Sequence, residues 1–476
     1  MQIPKILRNS ALYSIVTLLQ KCVSFFLLPL CTAFLSPEDY GTVNVVLSVS
    51  SFLSVLIMMS LNGAATRFHY KNTDENYRKV LWGTITTLVL INSLGWGIVF
   101  FTLHKFLVDP FIGEIDFYPY AVLALVNTVI TPLYLLFQAC LQARQEAFHY
   151  SVNTFLNFCT HIALTILFVV GLKLGAVGIL LANVCTALIF FVYVLFAYLP
   201  HIKLGINKPI TKKAYSYSLP LLPHHISIWS SGTIDKIFLN DIEGKASTGL
   251  YSVAQQFGQV VGTIAYSVNQ AFVPWFFEMV EKGNDGIKKI QKMGNVMILA
   301  YCLIAFAISF FSPEILKIMV SEKFQSAWKV IPLVSYAFVF HGIYFFFINV
   351  LFLKDTGWVF TVTMAGMVFN IIANIILIPR FGYYGTGVAC IITYLTRALF
   401  AMVLSIKKNK EIRYNYVLIF TMTFAFLALS YSCILFDHLP IMLSVLSKVF
   451  ICAVFFAIFY LKYKTQLLMI LKRRKK

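Results

Sequence analysis

The sequence contains unusually little charge. Charged residues make up 12% of its 476 residues and hydrophobic residues 59%, whereas about a quarter of the residues in a soluble domain are charged. Apolar runs of about 18 residues or more recur along the whole chain. Such runs are typical of membrane-spanning helices, in which every backbone polar group is satisfied inside its own segment. The sequence therefore predicts an all-α polytopic membrane protein.

The motifs of common enzyme and metal sites are also absent from the sequence. The 9 cysteines occur singly, without a C-x-x-C pair or a Cys/His cluster, so neither a disulfide framework nor a zinc site is supported. No Walker-type G-x-x-x-x-G-K-[ST], H-E-x-x-H or G-x-S-x-G sequence occurs. We therefore expect that the chain is not an enzyme and needs no metal or cofactor, with an H⁺ or Na⁺ gradient as the possible energy source.

Positive charge is in excess and unevenly distributed. The chain has 38 Lys and Arg residues against 19 Asp and Glu residues, a formal net charge of +19. With an even number of spans both termini lie on one side, and most basic residues fall on that side, mainly in segments 67–79, 201–213, 281–292, 407–413 and 471–476. Because basic loops mark the cytoplasmic face, we predict cytoplasmic termini. Charge spread over so many loops favours contact with anionic membrane lipids and argues against nucleic-acid binding.

The spans group into three predicted units. Residues 1–200 form an N-lobe and residues 201–408 a C-lobe, two six-helix lobes around a central cavity, and residues 409–476 add two C-terminal helices and a basic cytoplasmic tail. The chain has about fourteen predicted spans, at residues 9–34, 41–63, 80–102, 119–142, 150–172, 176–198, 214–239, 247–274, 290–311, 330–353, 357–378, 384–406, 414–435 and 440–462.

A weak internal repeat relates the two predicted lobes. The shift that places Gly41 on Gly249 also places Asn62 on Gln270, and in both copies a glycine follows an outer turn and begins a long apolar segment. An even number of spans separates the copies, so both have the same orientation in the membrane. The repeat therefore predicts parallel lobes related by an axis along the membrane normal, as in many secondary transporters.

The seventh and eighth predicted spans contain many polar residues. These residues recur at steps of three and four, which places them on one face of each helix. Two such faces could line a water-filled cavity, or they could hydrogen-bond across packed helices. The first face carries Ser216, Pro220, His224, Ser227, Ser231 and Asp235, and the second carries Ser252, Gln255, Gln259, Thr263, Tyr266 and Gln270.

Charged residues inside spans are candidate binding residues, because burying a charge in lipid is costly. Lys21 lies near the middle of the first predicted span, Arg397 lies in the twelfth and Lys448 in the fourteenth. Asp235 is the single acid that we place within the spans. This balance argues against a cationic cargo and favours an anion such as a phosphate or pyrophosphate, which Lys and Arg commonly bind.

Several of the candidate residues have a second explanation. Lys236 lies near the outer boundary, where its side chain can reach the interface while its stem stays in lipid. Arg67 ends the second predicted span, where basic residues commonly anchor topology. His224 either couples transport to protons or is a hydrogen-bonded packing residue. The predicted substrate-binding residues are Lys21, Arg67, His224, Asp235, Lys236, Gln255, Gln259 and Arg397.

Two stretches of the chain resemble the polysaccharide-transporter family of the multidrug/oligosaccharidyl-lipid/polysaccharide exporter superfamily. Residues 7–70 are similar to its first two helices and include an "L-x-P-E-x-Y-G" turn at Leu35–Gly41. Residues 217–256 are similar to its seventh and eighth helices and include Asp235, Lys236 and "GLYS" at 249–252. The resemblance implies two six-helix lobes arranged in a V, in the plasma membrane of a bacterium.

The same resemblance implies a function. Family members are flippases that move an oligosaccharide repeat unit, linked to undecaprenyl pyrophosphate, from the inner to the outer leaflet. The product serves the synthesis of O-antigen, capsule or exopolysaccharide, with a polysaccharide polymerase and a chain-length regulator as possible partners. The alternatives are a cation-coupled multidrug exporter of the same superfamily and an integral membrane polysaccharide polymerase or ligase.

Overall fold

A computed structural model describes residues 25, 27–353, 358–409, 411–436 and 439–452. Every regular element in these ranges is a helix, which confirms the all-α prediction. Lys21, one of the predicted binding residues, lies outside the described residues. The division into units at residues 200 and 408 stays a prediction.

The helices follow the predicted order of spans. Nine described helices are long and apolar enough to cross a membrane, and one of them, the 51-residue helix α14, holds two predicted spans on either side of a kink at Gly382. The main helices are α1 (27–34), α2 (Pro37–Met58), α3 (Leu61–His69), α4 (Glu75–Thr102), α5 (Phe117–Ala143), α6 (Ala147–Gly171), α7 (Gly175–His201), α8 (Lys208–Ser218), α9 (Leu222–Glu243), α10 (Lys245–Glu281), α11 (Asn284–Phe310), α12 (Ser312–Met319), α13 (Ile331–Phe352), α14 (Trp358–Lys408), α15 (Tyr416–Phe436) and α16 (Ile441–Cys452).

The predicted span 41–63 is divided in the structure. Helix α2 begins with a capping box, in which the Ser36 side chain accepts from the Asp39 amide and the Asp39 carboxylate accepts from the Ser36 amide. It ends before Met59 and Ser60, whose φ angles of 41° and 59° lie in the left-handed region. A left-handed pair cannot continue a right-handed helix, so α3 starts as a separate element.

The predicted span 214–239 is also divided. Helices α8 and α9 are separated by a short 3₁₀ turn, Leu219–Leu221, which contains Pro220. Proline removes a backbone donor and interrupts the hydrogen-bond ladder, which explains the break. Helices α9 and α10 have 22 and 37 residues, so they are long enough to span. Because both contain many polar residues, neither is among the nine helices that are apolar enough to be identified as membrane spans.

Helix α2 joins the two predicted lobes, because it packs against both α9 and α10. Gly41 on α2 meets Gly249 on α10, where a Cβ atom at either glycine would overlap a backbone carbonyl oxygen of the facing helix. Small residues allow helices to approach this closely. The internal repeat aligns the same two glycines. Repeat-equivalent residues that touch each other are expected at an axis that relates two parallel repeats.

Candidate functional site

Connecting segments that the predicted topology places on the same side of the membrane lie together in the structure, at the two ends of the helix bundle. At one end, which we call the basic end, the Lys203 amide donates to the Lys79 carbonyl at 3.0 Å. At the other end, the Asn240 side chain donates to the Ile112 carbonyl at 2.9 Å. There the Lys245 ammonium donates to the Glu114 carbonyl at 3.0 Å. We call this second end the closed end, because α2 is hydrogen-bonded to α9 and α10 there.

The closed end is held by hydrogen bonds between α2 and the helices α9 and α10. Lys236 Nζ donates to Asn44 Oδ1 at 2.9 Å, and Gln256 Nε2 donates to the Tyr40 hydroxyl at 2.6 Å. Both bonds flank the contact between Gly41 and Gly249. Lys236, a predicted binding residue, therefore joins α9 to α2 in this structure, and its role toward substrate stays a prediction.

The polar faces of α8, α9 and α10 change from buried to exposed along the bundle. Toward the closed end Ser231, Asp235, Ser252 and Gln255 are buried. Toward the basic end Ser216, Pro220, Gln259, Tyr266 and Gln270 are exposed. Because each set lies on one helix face, the faces meet at the closed end and separate at the basic end.

A cavity of about 930 Å³ lies at the basic end, between α3, the start of α4, and α8. Four cationic side chains line it, Arg67, Lys71, Lys212 and Lys213, and none of its lining residues in the described part of the chain is acidic. The Arg67 guanidinium also stacks over the Tyr217 ring, 4.7 Å from its centroid. The other lining residues are Phe68, Asn72, Tyr77, Pro209 and Ser216.

Arg67 is the predicted binding residue that faces this cavity. Lys71, Lys212 and Lys213 were not among the predicted binding residues, because basic residues in connecting segments are typical signals of topology. Helical spacing in α8 places Pro209, Lys212, Lys213 and Ser216 near one another, but nothing in the sequence showed that α8 faces α3. The concentration of four cations gives this cavity a positive electrostatic potential.

His69 supports the segment that carries Arg67. It ends α3 outside the apolar spans, is 3% exposed, and accepts a hydrogen bond at Nδ1 from Trp82 Nε1 at 3.2 Å. Burial lowers the pKa of His69, and the nearby positive charge of Arg78 lowers this pKa further. His69 is therefore neutral near pH 7 and available as an acceptor.

Asp235 is fully buried between α9, α10 and α14. Its Oδ2 accepts from the Tyr251 hydroxyl at 3.0 Å, and its Oδ1 accepts from the Asn370 and Asn374 side chains, both at 2.8 Å. Gln255 is also buried and donates to the Gly232 carbonyl at 3.0 Å. At this end of the bundle, hydrogen bonding across packed helices explains the polar residues better than a water-filled cavity does.

Arg397 lies nearer the basic end of the same helices. It is 4% exposed, and its NH2 group donates to the Ser227 carbonyl at 2.9 Å and to the Ser231 hydroxyl. His224, which is half-buried, pairs through Nδ1 with the Thr363 hydroxyl at 3.1 Å. Arg397 and His224 therefore connect α9 to α14, and the structure brings neither into the basic cavity.

A second buried acid lies between two predicted spans. Glu314, which follows the predicted span 290–311, is 4% exposed in α12. Lys448 Nζ lies 2.8 Å from Glu314 Oε1 and 2.9 Å from Oε2, and also donates to the Phe310 carbonyl at 2.8 Å. Lys448 is thus neutralised by a buried ion pair that joins α16 to α12. The sequence could not show that this connecting segment folds back onto the last span.

Comparison with known proteins agrees with this architecture. The family described as "Polysaccharide biosynthesis protein" matches residues 6–280, more than half of the 476 residues. An uncharacterized membrane protein of Haemophilus influenzae is 25% identical over 308 residues, which are 62% of this chain and 70% of the relative.

Two solved structures show the fold. A lipid II flippase, MurJ, in an inward closed conformation has a TM-score of 0.74 at 15% identity, covering 94% of this chain and 99% of that chain. An inward-facing multidrug resistance transporter of the MATE family and MOP superfamily has a TM-score of 0.62 at 14% identity, covering 86% and 98%.

These comparisons confirm the family resemblance found in the sequence. The two solved neighbours are a lipid II flippase and a multidrug resistance transporter. Its helices and its membrane-protein relative identify a multi-pass membrane protein. The chain belongs to the polysaccharide biosynthesis protein family.

Proposed function

We propose that the protein is a flippase for an oligosaccharide repeat unit linked to undecaprenyl pyrophosphate. The observation that carries this proposal is the cavity at the basic end, which Arg67, Lys71, Lys212 and Lys213 line and which no acidic residue in the described ranges lines. A pyrophosphate presents several charged oxygens, which Arg and Lys bind through charge-assisted hydrogen bonds. The excess of basic loops favours this end as the cytoplasmic one, in the bacterial plasma membrane with both termini inside.

The rest of the path follows from the change in exposure along α9 and α10. The sugar hydroxyls would meet the exposed polar residues Gln259, Tyr266 and Gln270, while the lipid tail stays in the surrounding bilayer. Release on the other side requires α2 to separate from α9 and α10 at the closed end. Alternating access between these two arrangements would move the headgroup across without exposing it to hydrocarbon.

The family match and the likeness to a lipid II flippase support a lipid-linked cargo. Under this proposal the product enters the synthesis of O-antigen, capsule or exopolysaccharide. A polysaccharide polymerase and a chain-length regulator would then act next on the flipped unit and are expected partners.

Deletion and complementation test this proposal. Cells without the protein should accumulate lipid-linked repeat units on the cytoplasmic leaflet and lose surface polysaccharide, and the wild-type gene should restore both. The matched variant carries Arg67→Ala, Lys212→Ala and Lys213→Ala together, and should restore neither although it reaches the membrane in normal amount. Normal surface polysaccharide in the deletion strain would contradict the proposal.

The second candidate is a cation-coupled multidrug exporter, which the likeness to MATE transporters favours. A cationic drug would be repelled by the cations around the basic cavity, and this electrostatic mismatch favours the flippase. Drug susceptibility of the same deletion strain separates the two: increased susceptibility with normal surface polysaccharide would support the exporter.

A further inference from the structure

A second cavity, of about 320 Å³, lies at the basic end between α5, α6 and α7. Its wall contains a group of charged and polar side chains, Arg144, Glu146, His149, Asn153 and His201, and none of these lines the larger cationic cavity. Its volume is at the lower end of the range of about 300–1,000 Å³ that is usual for small-ligand pockets. The cavity therefore suits a headgroup-sized molecule rather than an oligosaccharide.

The cavity presents one cation and one anion, and no ion pair of the described residues joins the two. Arg144 lies 3.9 Å from the Glu75 carboxylate, and its Nε atom is buried without a hydrogen-bond partner among the described residues. Glu146 contacts His149 through Oε2, which lies 3.1 Å from the ring Nδ1. Because buried donors are normally paired, the free Nε of Arg144 indicates room for an acceptor in the cavity.

Asn153 adds a neutral polar group to the same wall. The residue is 6% exposed. Within the described part of the chain, its side chain has no hydrogen-bond partner, and its backbone carbonyl accepts from the Tyr134 hydroxyl at 3.3 Å. A carboxamide has two donor hydrogens and an acceptor oxygen. A ligand in the cavity can provide the partner that this buried carboxamide lacks.

The turn between α5 and α6 fixes the positions of the two charges. Gln145 has a left-handed φ of 59°, and the amides of Gln145 and Glu146 donate to the carbonyls of Gln142 and Leu141. These two bonds form a Schellman motif, which ends α5 and sets the direction of the following residues. Arg144 and Glu146 therefore lie on either side of one left-handed residue, both at the cavity.

The apolar part of the wall lies deeper in the membrane region than the charges. Phe137 and Tyr193 line the cavity about two helical turns before the ends of α5 and α7. Tyr193 is 42% exposed and Phe196, on the same helix, is 77% exposed. Exposed aromatic side chains near the end of a spanning helix are typical of the membrane interface. Charged groups at the helix ends and apolar groups below them match the two parts of a lipid.

We propose that this cavity binds the headgroup of a zwitterionic phospholipid, phosphatidylethanolamine. The phosphate accepts hydrogen bonds from the Arg144 guanidinium and the Asn153 carboxamide, and the primary ammonium donates to the Glu146 carboxylate. The start of an acyl chain packs against Phe137 and Tyr193. Basic pockets between spanning helices on the cytoplasmic side commonly bind lipid headgroups. Here the carboxylate beside the cation selects a lipid that carries both charges.

The lipid site is connected to the cationic cavity through Tyr70. The Tyr70 hydroxyl donates to the carbonyl of Ala143, the residue before Arg144, at 2.9 Å. Tyr70 directly follows α3, the helix that carries Arg67. A lipid that orders the end of α5 therefore also orders the segment that carries Arg67. This consequence, a dependence of transport on the lipid, rests on the proposed flippase function, whereas the binding site does not.

Binding of dioleoyl lipids to the purified full-length protein tests the site without any substrate. The lipids carry phosphoethanolamine, phosphocholine, phosphoglycerol or no phosphate, and both native mass spectrometry and the melting temperature report binding. Wild-type protein should bind the ethanolamine lipid about fivefold more tightly than the others. Choline cannot donate a hydrogen bond to a carboxylate, and phosphoglycerol has no cation.

Two variants assign the headgroup contacts. Glu146→Gln should abolish the preference for ethanolamine over phosphoglycerol without weakening the binding of the phosphoglycerol lipid. Arg144→Ala should weaken the binding of all three phosphate-containing lipids about tenfold. The control, Lys282→Ala with Glu278→Gln, also removes one cation and one carboxylate, from an exposed ion pair at the end of α10. It should bind the lipids as wild-type protein does.

Equal binding of the ethanolamine, choline and glycerol lipids by wild-type protein would overturn the proposal, as would a preference that Glu146→Gln leaves unchanged. Tighter binding of the phosphoglycerol lipid by wild-type protein would identify an anionic-lipid site instead. If Arg144→Ala does not fold, the wild-type lipid series together with Glu146→Gln decides the question. Selective lipid binding by a protein that flips no lipid-linked sugar would contradict the proposed function alone. Undiminished flipping in membranes without phosphatidylethanolamine, with no selective binding, would contradict this site alone.

Discussion

The two ends of the helix bundle are built from different chemistry. The closed end joins the helices through a contact between glycines and a few hydrogen bonds, such as Lys236 to Asn44. The basic end keeps exposed cations around a cavity. Each hydrogen bond contributes only about 0.5–1.5 kcal/mol. A ligand that binds one of two states about 5.5 kcal/mol more tightly than the other is enough to reverse the populations of those states. The closed end is therefore a contact that a ligand bound elsewhere can open.

The largest expected effect comes from breaking the glycine contact. In Gly249→Ala the added Cβ would overlap the Pro37 carbonyl, so α2 and α10 must separate. A cysteine introduced at Ser252, which is 2% exposed near this contact, should then react with a water-soluble maleimide at least tenfold faster. The measurement uses protein without its native cysteines.

The matched control is Gly232→Ala, because a Cβ at Gly232 meets no atom within 4 Å. It should leave the labelling rate unchanged. Equal labelling rates in Gly249→Ala and the parent protein would show that the glycine contact does not hold this end closed.

The next largest effect is expected from reversing charge at the basic end. In the double variant Lys212→Glu and Lys213→Glu, two acids replace two of the cations that line the cavity. Transport of lipid-linked sugar into the outer leaflet should fall about tenfold, since each lost charge contact with phosphate contributes roughly 1 kcal/mol or less at an exposed site.

The control for this variant is Lys288→Glu with Lys289→Glu. Both lysines are exposed on α11, outside the set of cavity-lining residues. The control has the same change of net charge and should retain transport. An equal loss in both double variants would attribute the effect to topology or net charge rather than to the cavity.

The difference between the two ends was only partly predictable from the sequence. The positions of charged residues and the helical spacing of polar ones could be read from the sequence, because both are local properties; Lys79 and Lys203, predicted on one side, do lie together. The spacing of the polar residues predicted the same environment along the whole length of both polar faces. In the structure, however, Asp235 is buried and Gln270 is exposed. Periodicity identifies the face of a helix but does not identify its neighbour.

The missed features have the same origin. Met59 and Ser60 adopt left-handed angles that neither residue type suggests, so the end of α2 was not predictable. Glu314 and Lys448 are distant in sequence, and their ion pair depends on how α12 and α16 pack. The repeat aligned Gly41 with Gly249 but did not predict that they touch, because alignment gives no distance between the two copies.

A smaller effect is expected from removing one hydrogen bond at the closed end. Asn44→Ala deletes the acceptor of the Lys236 ammonium without altering the glycine contact. Loss of one bond to a charged group costs about 1.5–3 kcal/mol when the partner stays buried, but the flexible lysine can reach the interface instead. We expect the Ser252→Cys labelling rate to rise about two- to fivefold. A rise as large as that in Gly249→Ala would show that this hydrogen bond contributes as much to closure as the glycine contact.

The smallest expected effect is a pH dependence of stability that belongs to the basic end. Because the pKa of His69 is lowered in the folded protein, the unfolded chain, with an ordinary histidine pKa near 6.5, takes up a proton first as pH falls. The stability that neutral His69 provides is complete above about pH 6.5 and is lost below it, by at most about 1.4 kcal/mol per pH unit. Melting temperatures between pH 7.5 and 5.5 should therefore fall less in His69→Gln than in wild-type protein. The melting temperature of His149→Gln, a change at an exposed histidine, should fall as that of wild-type protein does. Identical curves for all three proteins would show that neutral His69 does not stabilise the segment beside the cationic cavity.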